Sequence, residues 1–567
     1  MSTETAAPVQ MLNVQIDGVW MQFPKGTRVI EACNQANKYV PRYCYHPKLS
    51  SPGNCRMCLI EMGMPKMGPD RKPVIGADGK SEINWIPRPQ ISCAQDVAEG
   101  MGIRTDSQMV KECRQGVMEF LLINHPLDCP ICDQAGECRL QEFSVEYGNG
   151  ASRFLEHKVK KPKNVEVGPR VTLDAERCVL CSRCIRFMKE VAHDDVLGFV
   201  DRGSFSTIAC HPDRTLESNY SLNTVDICPV GALTSSDFRF KMRVWFLKET
   251  KSICTSCATG CNTVVGSREN IVYRQTPREN NDVNSVWMCD FGRLNFHPIH
   301  SPERLTNPAV KGPGGNEVTP WEIALSRAAT ELKKYRGDEV AIIASGSFTN
   351  EELFLARKLS EAMGTTLIDI IPHNDQGDKI LLSADRNANT AGAKLMGVTG
   401  GVPGSLLGLI SSGLKNRTVK ALIVLGEDAT KVLGTEIANA QIIVATNILP
   451  NGTTKLAHLV FPGASFAEKR GSMINKKGRI QRLNRAIEPP GSARDDWEIL
   501  RDLIQAVSGA NGIYMIEDVF KQMAAATPVL AGLSLSKIGD LGVQLPLETG
   551  EAAAPPPKTD SPTAHTP

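Results

Sequence analysis

Hydrophobic and polar positions change rhythm several times along the chain. The opening "LNVQIDGVWMQFPKG" alternates with period two on either side of Asp17 and Gly18, which predicts two strands joined by an Asp-Gly turn, and a helix beginning near Thr27 follows. Met109, Val110, Cys113, Val117, Phe120 and Leu121 recur at helical spacing, which predicts a helix with Cys113 on its apolar face. Pro126 disfavours its continuation past His125. From Thr319 the rhythm alternates between helix and strand. "TPWE" reads as a capping box with Pro320 at the first helical position, and the helix should end at Gly337. "VAIIASG" reads as a buried strand, and Asn350 as the cap of a second helix ending near Gly364. "TLIDI", "VKALIVLG" and "AQIIVAT" repeat the strand pattern, so this half should be a doubly wound α/β domain with a largely parallel sheet. "GPGGNE", 312–317, reads as a glycine-rich linker, and disorder is expected over 1–10 and from Glu548 onward.

Length and charge then narrow the classes. With 567 residues the chain has room for several cores. Its 64 basic and 62 acidic residues leave a net charge of +2, which favours neither nucleic acid nor an anionic membrane surface. The longest apolar runs are strand length, far short of a membrane span. "MSTETAAPVQ" lacks the basic and apolar regions of a secretory signal, so a cytoplasmic location is expected. GxGxxG, GxxxxGK[ST] and GxSxG are all missing, which removes the usual nucleotide and nucleophile motifs.

Eighteen cysteines change the picture, because every one lies between Cys33 and Cys289. In a reducing compartment such density points to metal rather than disulfides. The first set is Cys44, Cys55, Cys58 and Cys93, in and after "CYHPKLSSPGNCRMC". A loop cysteine followed by CxxC and a remote cysteine is the plant-type pattern for 2Fe-2S, here with a longer first gap. The second set, "HPLDCPICDQAGEC", gives Cys129, Cys132 and Cys138, with His125 the best fourth ligand, since imidazole replaces thiolate on iron in Rieske centres.

The third set follows from a frame. "CVLCSRC" supplies Cys178, Cys181 and Cys184, but the bacterial ferredoxin run needs a fourth cysteine where Met188 stands. "SNYSLNTVDICP" repeats that frame with Ser218, Ser221 and Thr224 in place of three cysteines and Cys228-Pro229 at the end. Fourth cysteines in two-cluster ferredoxins ligate the other cluster, so Cys228 should complete the site. The fourth set is Cys254, Cys257 and Cys261 of "CTSCATGC" with Cys289 of "WMCDFGR". Structural zinc is the rival for all-cysteine sets, most seriously for the fourth. Cys33, Cys113 and Cys210 are left over and read as buried or half-buried free thiols.

The order and spacing of these sets, with "ERCVLCSRCIRFMKE" and "DICPVGALT", resemble the family of large iron-sulfur subunits of bacterial NADH:quinone oxidoreductase, respiratory complex I, over about residues 10 to 508. "HLVFPGASFAEKRGSMINKKGRIQRLNRAIEPPGSARDDWEIL" looks like the molybdopterin-oxidoreductase fold that this family carries. The resemblance implies an α+β and α/β multidomain chain: a ferredoxin-like β-grasp domain, 4Fe-4S ferredoxin-like segments and a doubly wound α/β domain. The divisions expected are 1–10, 11–100, 101–145, 146–248, 249–305, 306–508, 509–547 and 548–567. It implies one 2Fe-2S cluster on the first set, 4Fe-4S clusters on the second and third, and a further one on the fourth, which only some members carry, off the main electron route. Partners implied are the NADH- and FMN-binding subunit, a 2Fe-2S subunit and a two-cluster ferredoxin-like subunit, at the cytoplasmic side of the membrane. The chain is shorter than many bacterial members, and the missing length would come from the α/β half.

Electron relay is the function these features imply, with no residue needed as acid, base or nucleophile. Two alternatives stand beside it. A hydrogenase or formate dehydrogenase shares a similar cluster module but needs cysteines after Cys289, and there are none, so molybdopterin is not expected. A zinc-binding interaction protein would be colourless and free of iron.

Overall fold

A computed structural model describes residues 10–547, apart from 78 and 313. The expected disorder over 1–10 and 548–567 lies, save for residue 10, outside the described residues. The chain forms two compact units, Met1–Phe246 and Leu247–Pro567.

In the first unit, β1 (Met11–Ile16) and β2 (Val19–Pro24) pair antiparallel across the expected turn, where Asp17 and Gly18 both take positive φ, 46° and 86°. Helix α1 (Val29–Gln35) buries Val29, Ile30, Ala32 and Cys33. It is followed by β3 (Leu59–Pro65), β4 (Ile83–Trp85), β5 (Gln90–Ile91) and β6 (Met101–Arg104). The sheet order is β2-β1-β6-β3-β4, with β5 also on β3. Parallel pairing of β1 with β6 encloses a core of Val14, Ile16, Phe23, Ile30, Ile60 and Ile103.

Helix α2 (Gln108–Leu122) is capped by Ser107 and ends before His125 as expected, but its face is turned. Val110, Arg114 and Met118 are buried, while Phe120 is 80% exposed. Arg114 wins the interior because its Nη2 donates to the Leu59 carbonyl at 3.3 Å and its guanidinium lies over the Tyr147 ring. Then come α3 (Arg139–Tyr147), β7 (Val165–Gly168), β8 (Val171–Leu173), α4 (Arg183–Glu190), β9 (Leu197–Val200), β10 (Thr207–Cys210), α5 (Asn223–Asp226) and β11 (Leu233–Ser235). These form the sheets β11-β8-β7 and β10-β9.

The second unit opens with β12 (Lys248–Ile253), β13 (Asn262–Arg268) and β14 (Ile271–Pro277), an antiparallel meander, then α6 (Asp290–Arg293). The α/β portion runs β15 (Ala309–Gly312), β16 (Gly315–Val318), α7 (Trp321–Leu332), β17 (Val340–Ala344), α8 (Asn350–Met363), β18 (Ile368–Ile370), α9 (Thr390–Leu395), α10 (Leu407–Lys415), β19 (Ala421–Leu425), α11 (Thr430–Leu433), β20 (Ile442–Asn447), α12 (Gly452–Leu456) and β21 (Leu459–Pro462). Five strands are parallel in the order β18-β17-β19-β20-β21, with β15 and β16 antiparallel at one edge. All residues of β17 and β19 are buried, as expected for a sheet covered on both faces.

The structure corrects three local expectations. Pro320 is the N-cap of α7 and makes no side-chain cap bond, so "TPWE" is not a capping box, and α7 stops at Leu332 rather than Gly337. The cap of α8 is Thr349, not Asn350; it forms a reciprocal box with Glu352, while Gly364 ends the helix in the left-handed region. "GPGGNE" is no linker, because Ala309–Gly312 pairs with Gly315–Val318 in the main sheet.

After β22 (Gly471–Ile474), β23 (Arg479–Leu483) and α13 (Asp496–Ser508), the segment 509–547 builds α14 (Ile516–Ala526), α15 (Leu535–Ile538) and β24 (Val543–Gln544). Phe520, Met523, Leu530 and Ile538 join the main core, so this extension is part of the α/β unit.

Candidate iron-sulfur centres

All 18 cysteines are free thiols. The first set converges from two segments. Cys44, Cys55 and Cys58 lie on the loop between α1 and β3, and Cys93 lies in the tight turn Ser92–Ala94 after β5. That turn is pinned to the loop by Ser92, whose N and Oγ donate to the Cys58 carbonyl at 3.2 and 2.9 Å. The thiols hydrogen-bond one another: Cys44 with Cys55 and Cys93, and Cys58 with Cys93. A bond to Cys44 pushes the Cys55 thiol up, and a bond to Cys93 holds Cys58 down. Cys44, Cys58 and Cys93 are at most 1% exposed, so this corner is dry.

In the second set Cys129 opens a tight turn, Cys132 follows it, and Cys138 stands at the N-terminus of α3. Backbone N–H groups of Leu140 and Gln141 point at the Cys138 sulfur, where the helix dipole favours a thiolate. Burial nonetheless pushes the Cys138 thiol up to about 11, with the Cys132 and Cys129 charges adding to it. His125 is lowered to about 4, by burial first and then by Lys158 and Arg177, so its imidazole is neutral and has a lone pair to give. Arg177 also faces Cys132, so His125 and Cys132 lie near the same guanidinium.

The third set wraps a loop whose residues Leu180 and Ser182 take φ of 53° and 58°, turning backbone N–H groups inward; Leu180 N donates to Cys178 Sγ at 3.4 Å. Cys184 sits on α4, and Cys228 follows α5, with N–H groups of Val230, Ala232 and Leu233 aimed at its sulfur. Burial raises Cys178 and Cys181 to about 12, and Cys228 is among the charges that raise each. The repeated frame thus brings Cys228 to its three predecessors.

Cys254, Cys257, Cys261 and Cys289 are all buried. Cys254 N donates to the Cys261 carbonyl at 2.8 Å, and Gly292 N donates to Cys289 Sγ at 3.4 Å. A Cβ built on Gly292 would lie 2.8 Å from Cys254 Sγ and 3.4 Å from Cys289 Sγ, so only glycine fits between these sulfurs. Gly231 plays the same part in the first unit, where a Cβ would strike Cys132 Sγ.

Cys33 is fully buried and Cys113 and Cys210 half-buried. Among the described residues no three His, Cys, Asp or Glu side chains converge on one point as ligands of a single ion do. Mostly buried or half-buried thiols, several met by backbone N–H donors, suit a polynuclear cluster, which spreads its ligands and takes them as thiolates, releasing protons as it binds.

Sequence reasoning missed several residues at these sites. Gly231 and Gly292 carry no ligand atom, and Arg183 and Arg186 flank Cys184 one helical turn apart with partners far off in sequence. Their one visible signal is the i, i+3 spacing of two arginines around a ligand.

In the second unit a crevice of about 530 Å³ opens at the C-terminal ends of β17, β18 and β19, the switch point of the parallel sheet, and Ser347, His373, Arg386 and Glu427 are among its lining. His373 is paired with Glu427 at 2.9 Å and Arg386 with Asp375 at 3.3 Å. No thiolate lines it, and Ser347 Oγ already accepts from Ala388 N at 3.2 Å. The lining therefore offers no sulfur ligand for a metal-bearing pterin.

Fold and thiols together define an iron-sulfur protein, with ferredoxin-type cluster domains followed by an α/β unit of molybdopterin-oxidoreductase type. Five family models match in that order: a 2Fe-2S iron-sulfur cluster binding domain over 9–108, the NADH-ubiquinone oxidoreductase-G iron-sulfur binding region over 114–153, the NADH-quinone oxidoreductase subunit 3 ferredoxin-like domain over 168–234, the NDSU1/NuoG-like 4Fe-4S domain over 247–297, and molybdopterin oxidoreductase over 374–506.

Over part of its length the chain is similar to curated subunits of NADH-quinone oxidoreductases. It is 40% identical over 355 residues to the G subunit of the Rickettsia felis enzyme, covering 63% of this chain and 50% of the relative. NADH-quinone oxidoreductase subunit 3 of Thermus thermophilus is 38% identical over 372 residues (63% and 47%). The mitochondrial NADH dehydrogenase [ubiquinone] iron-sulfur protein 1 of Solanum tuberosum is 39% identical over 362 residues (64% and 46%). The chain spans about half the length of the curated relatives it matches. Among solved structures, an NAD+-reducing NiFe hydrogenase aligns with TM-score 0.34 and 25% identity over 41% of this chain and 91% of that one, too slight a likeness to carry an argument.

Proposed function

We propose that the chain is an electron relay of an NADH:quinone oxidoreductase, passing single electrons between iron-sulfur clusters from the flavin side toward quinone. The ligands are Cys44, Cys55, Cys58 and Cys93 for 2Fe-2S, and His125, Cys129, Cys132 and Cys138; Cys178, Cys181, Cys184 and Cys228; and Cys254, Cys257, Cys261 and Cys289 for three 4Fe-4S clusters. The observation that carries this reading is the mutual proximity of the first three thiol sets within one unit. Pro229, next to Cys228, accepts from Arg139 N at 3.1 Å beside Cys138, and Asn54 Nδ2, beside Cys55, donates to the Leu180 carbonyl at 3.3 Å. Ligand loops in hydrogen-bond contact put their clusters within tunnelling range.

The chain's own residues hold and shield the clusters and set their potentials through burial and N–H···S bonds. Neutral His125 in place of an anionic thiolate raises the potential of the second site. The α/β half serves as a scaffold without molybdopterin, and the partners are other subunits of the complex at the membrane surface. Among the described residues no helix is long and apolar enough to cross a membrane. In the assembled complex, Cys181→Ser should abolish NADH-driven quinone reduction while leaving NADH oxidation by ferricyanide at the flavin largely intact. Unimpaired quinone reduction would contradict the relay.

A further inference from the structure

Two arginines of α4 reach across from the third thiol set to the first. Arg186 Nη2 donates to the Cys44 carbonyl at 2.5 Å and, at 3.5 Å, to the Cys181 carbonyl, so one nitrogen touches ligand residues of two different sites. Its Nη1 donates to the Ser50 carbonyl and its Nε to Ser182 Oγ at 3.2 Å. One turn earlier, Arg183 donates through Nη2 to the Tyr45 carbonyl at 2.6 Å and through Nη1 to the Ile227 carbonyl at 3.1 Å, the neighbours of Cys44 and Cys228. Its Nε is buried with no hydrogen-bond partner.

Stitching two loops together does not require charge, and a half-buried guanidinium whose Nε is a buried idle donor is costly unless something anionic repays it. The groups facing Arg183 are Cys181, Cys228, Cys44 and the like charge of Arg186, and those facing Arg186 are Cys181, Glu190, Cys44 and Cys184. Arg42 and Lys48 stand with them around His46. Glu190 is the one carboxylate among these groups, and it is itself held by Ser50 N at 2.9 Å. Both loops therefore close over a positive strip. The second set differs: its Arg177 is matched by Asp128 at 3.0 Å and Asp174 at 3.2 Å.

We propose that Arg183 and Arg186 are shared redox-tuning residues, two half-buried positive charges that raise the potentials of the first and third clusters together and hold their ligand loops at fixed separation. The inference rests on the cluster assignment above. A cluster held by four thiolates is negative in both oxidation states and more so when reduced, so a fixed cation favours the reduced form. Because the charge is shared, the two potentials should move as a pair.

The test is an EPR-monitored redox titration of the purified full chain, with iron and sulfide assayed on each sample. In Arg183→Gln and Arg186→Gln the midpoints of the first and third clusters should both fall, while that of the second stays in place. Arg183→Lys and Arg186→Lys, which keep the charge but not the fork, should stay close to the wild type. Unmoved midpoints in a fully loaded Gln variant, or Lys variants that fall as far as Gln, would overturn the proposal. If Arg183→Gln fails to load, the Arg186 pair carries the same comparison. Wild-type protein without iron or sulfide would sink the cluster reading instead, so the two failures are distinguishable.

Discussion

Fourteen of the 18 cysteines lie in the first unit and four in the second, while the longest core runs the other way. In the second unit Val310, Trp321, Ile342, Phe354, Ile423, Phe461, Leu503 and Phe520 belong to one continuous apolar cluster. At about 1.5–3 kcal/mol for each large buried side chain, such a core stands without help. In the first unit the core around the β1–β6 sheet ends at Ile103. Beyond it, β7 to β11 are three or four residues long, and Leu127 and Ile131, between the second-set ligands, are exposed. The difference teaches that residues 105–246 combine ligand loops with short elements that bury side chains such as Phe143, Leu173, Phe187 and Leu233, whereas 306–547 are ordered around large continuous apolar clusters.

Removing the metal separates the two most strongly. Anaerobic chelation should strip protection from hydrogen exchange across residues 105–246 and around Cys254–Cys261, and leave the parallel sheet of the second unit protected. Simultaneous loss throughout both units would erase the contrast.

The next effect comes from inside the second unit. Lys469 Nζ lies 3.0 Å from both carboxylate oxygens of Glu352 and 3.6 Å from Asp496, all nearly or fully buried. Lys469→Met leaves two carboxylates without their cation, and should cost about 3–5 kcal/mol. Denaturant unfolding should show this loss in the second unit, with the cluster spectra of the first unchanged.

A smaller effect depends on pH. Burial raises Glu351 from 4.5 to about 7, although Ser472 N and Oγ each donate to it at 2.8 Å. The folded state then holds this proton more tightly than the unfolded state, so its contribution to stability is complete below pH 4.5 and is lost as pH rises toward 7. Glu351→Gln should flatten that part of the stability profile, stabilising the second unit at about pH 8 relative to wild type more than at about pH 5. An unchanged slope would remove Glu351 as its cause.

How far the sequence could be read follows the same division. Ligand spacing is local and covalent, so CxxC pairs, the shifted frame that ends in Cys228, and the halt of α2 before His125 were all legible. So was the parallel sheet, because its strands are buried on both faces. Competition between neighbours was not. Pro320 and Thr349 took the capping positions assigned to residues next to them, and "GPGGNE" became a paired edge because β21 offered Ala309 and Val310 a partner. Arg114 lies inside α2's face for a reason set by Leu59, more than fifty residues away. The i, i+3 spacing of Arg183 and Arg186 hints at a shared role, but the carbonyls they bind are defined only once two distant loops meet.

Fifteen sulfurs and one imidazole, holding iron and sulfide, make up the whole of the proposed relay. The most direct measurement is EPR of the anaerobically purified chain during stepwise reduction, alongside iron, zinc and acid-labile sulfide analysis. About fourteen irons per chain, with one 2Fe-2S and three 4Fe-4S signals appearing in turn, is the expected result. A colourless protein containing zinc and no sulfide would contradict it.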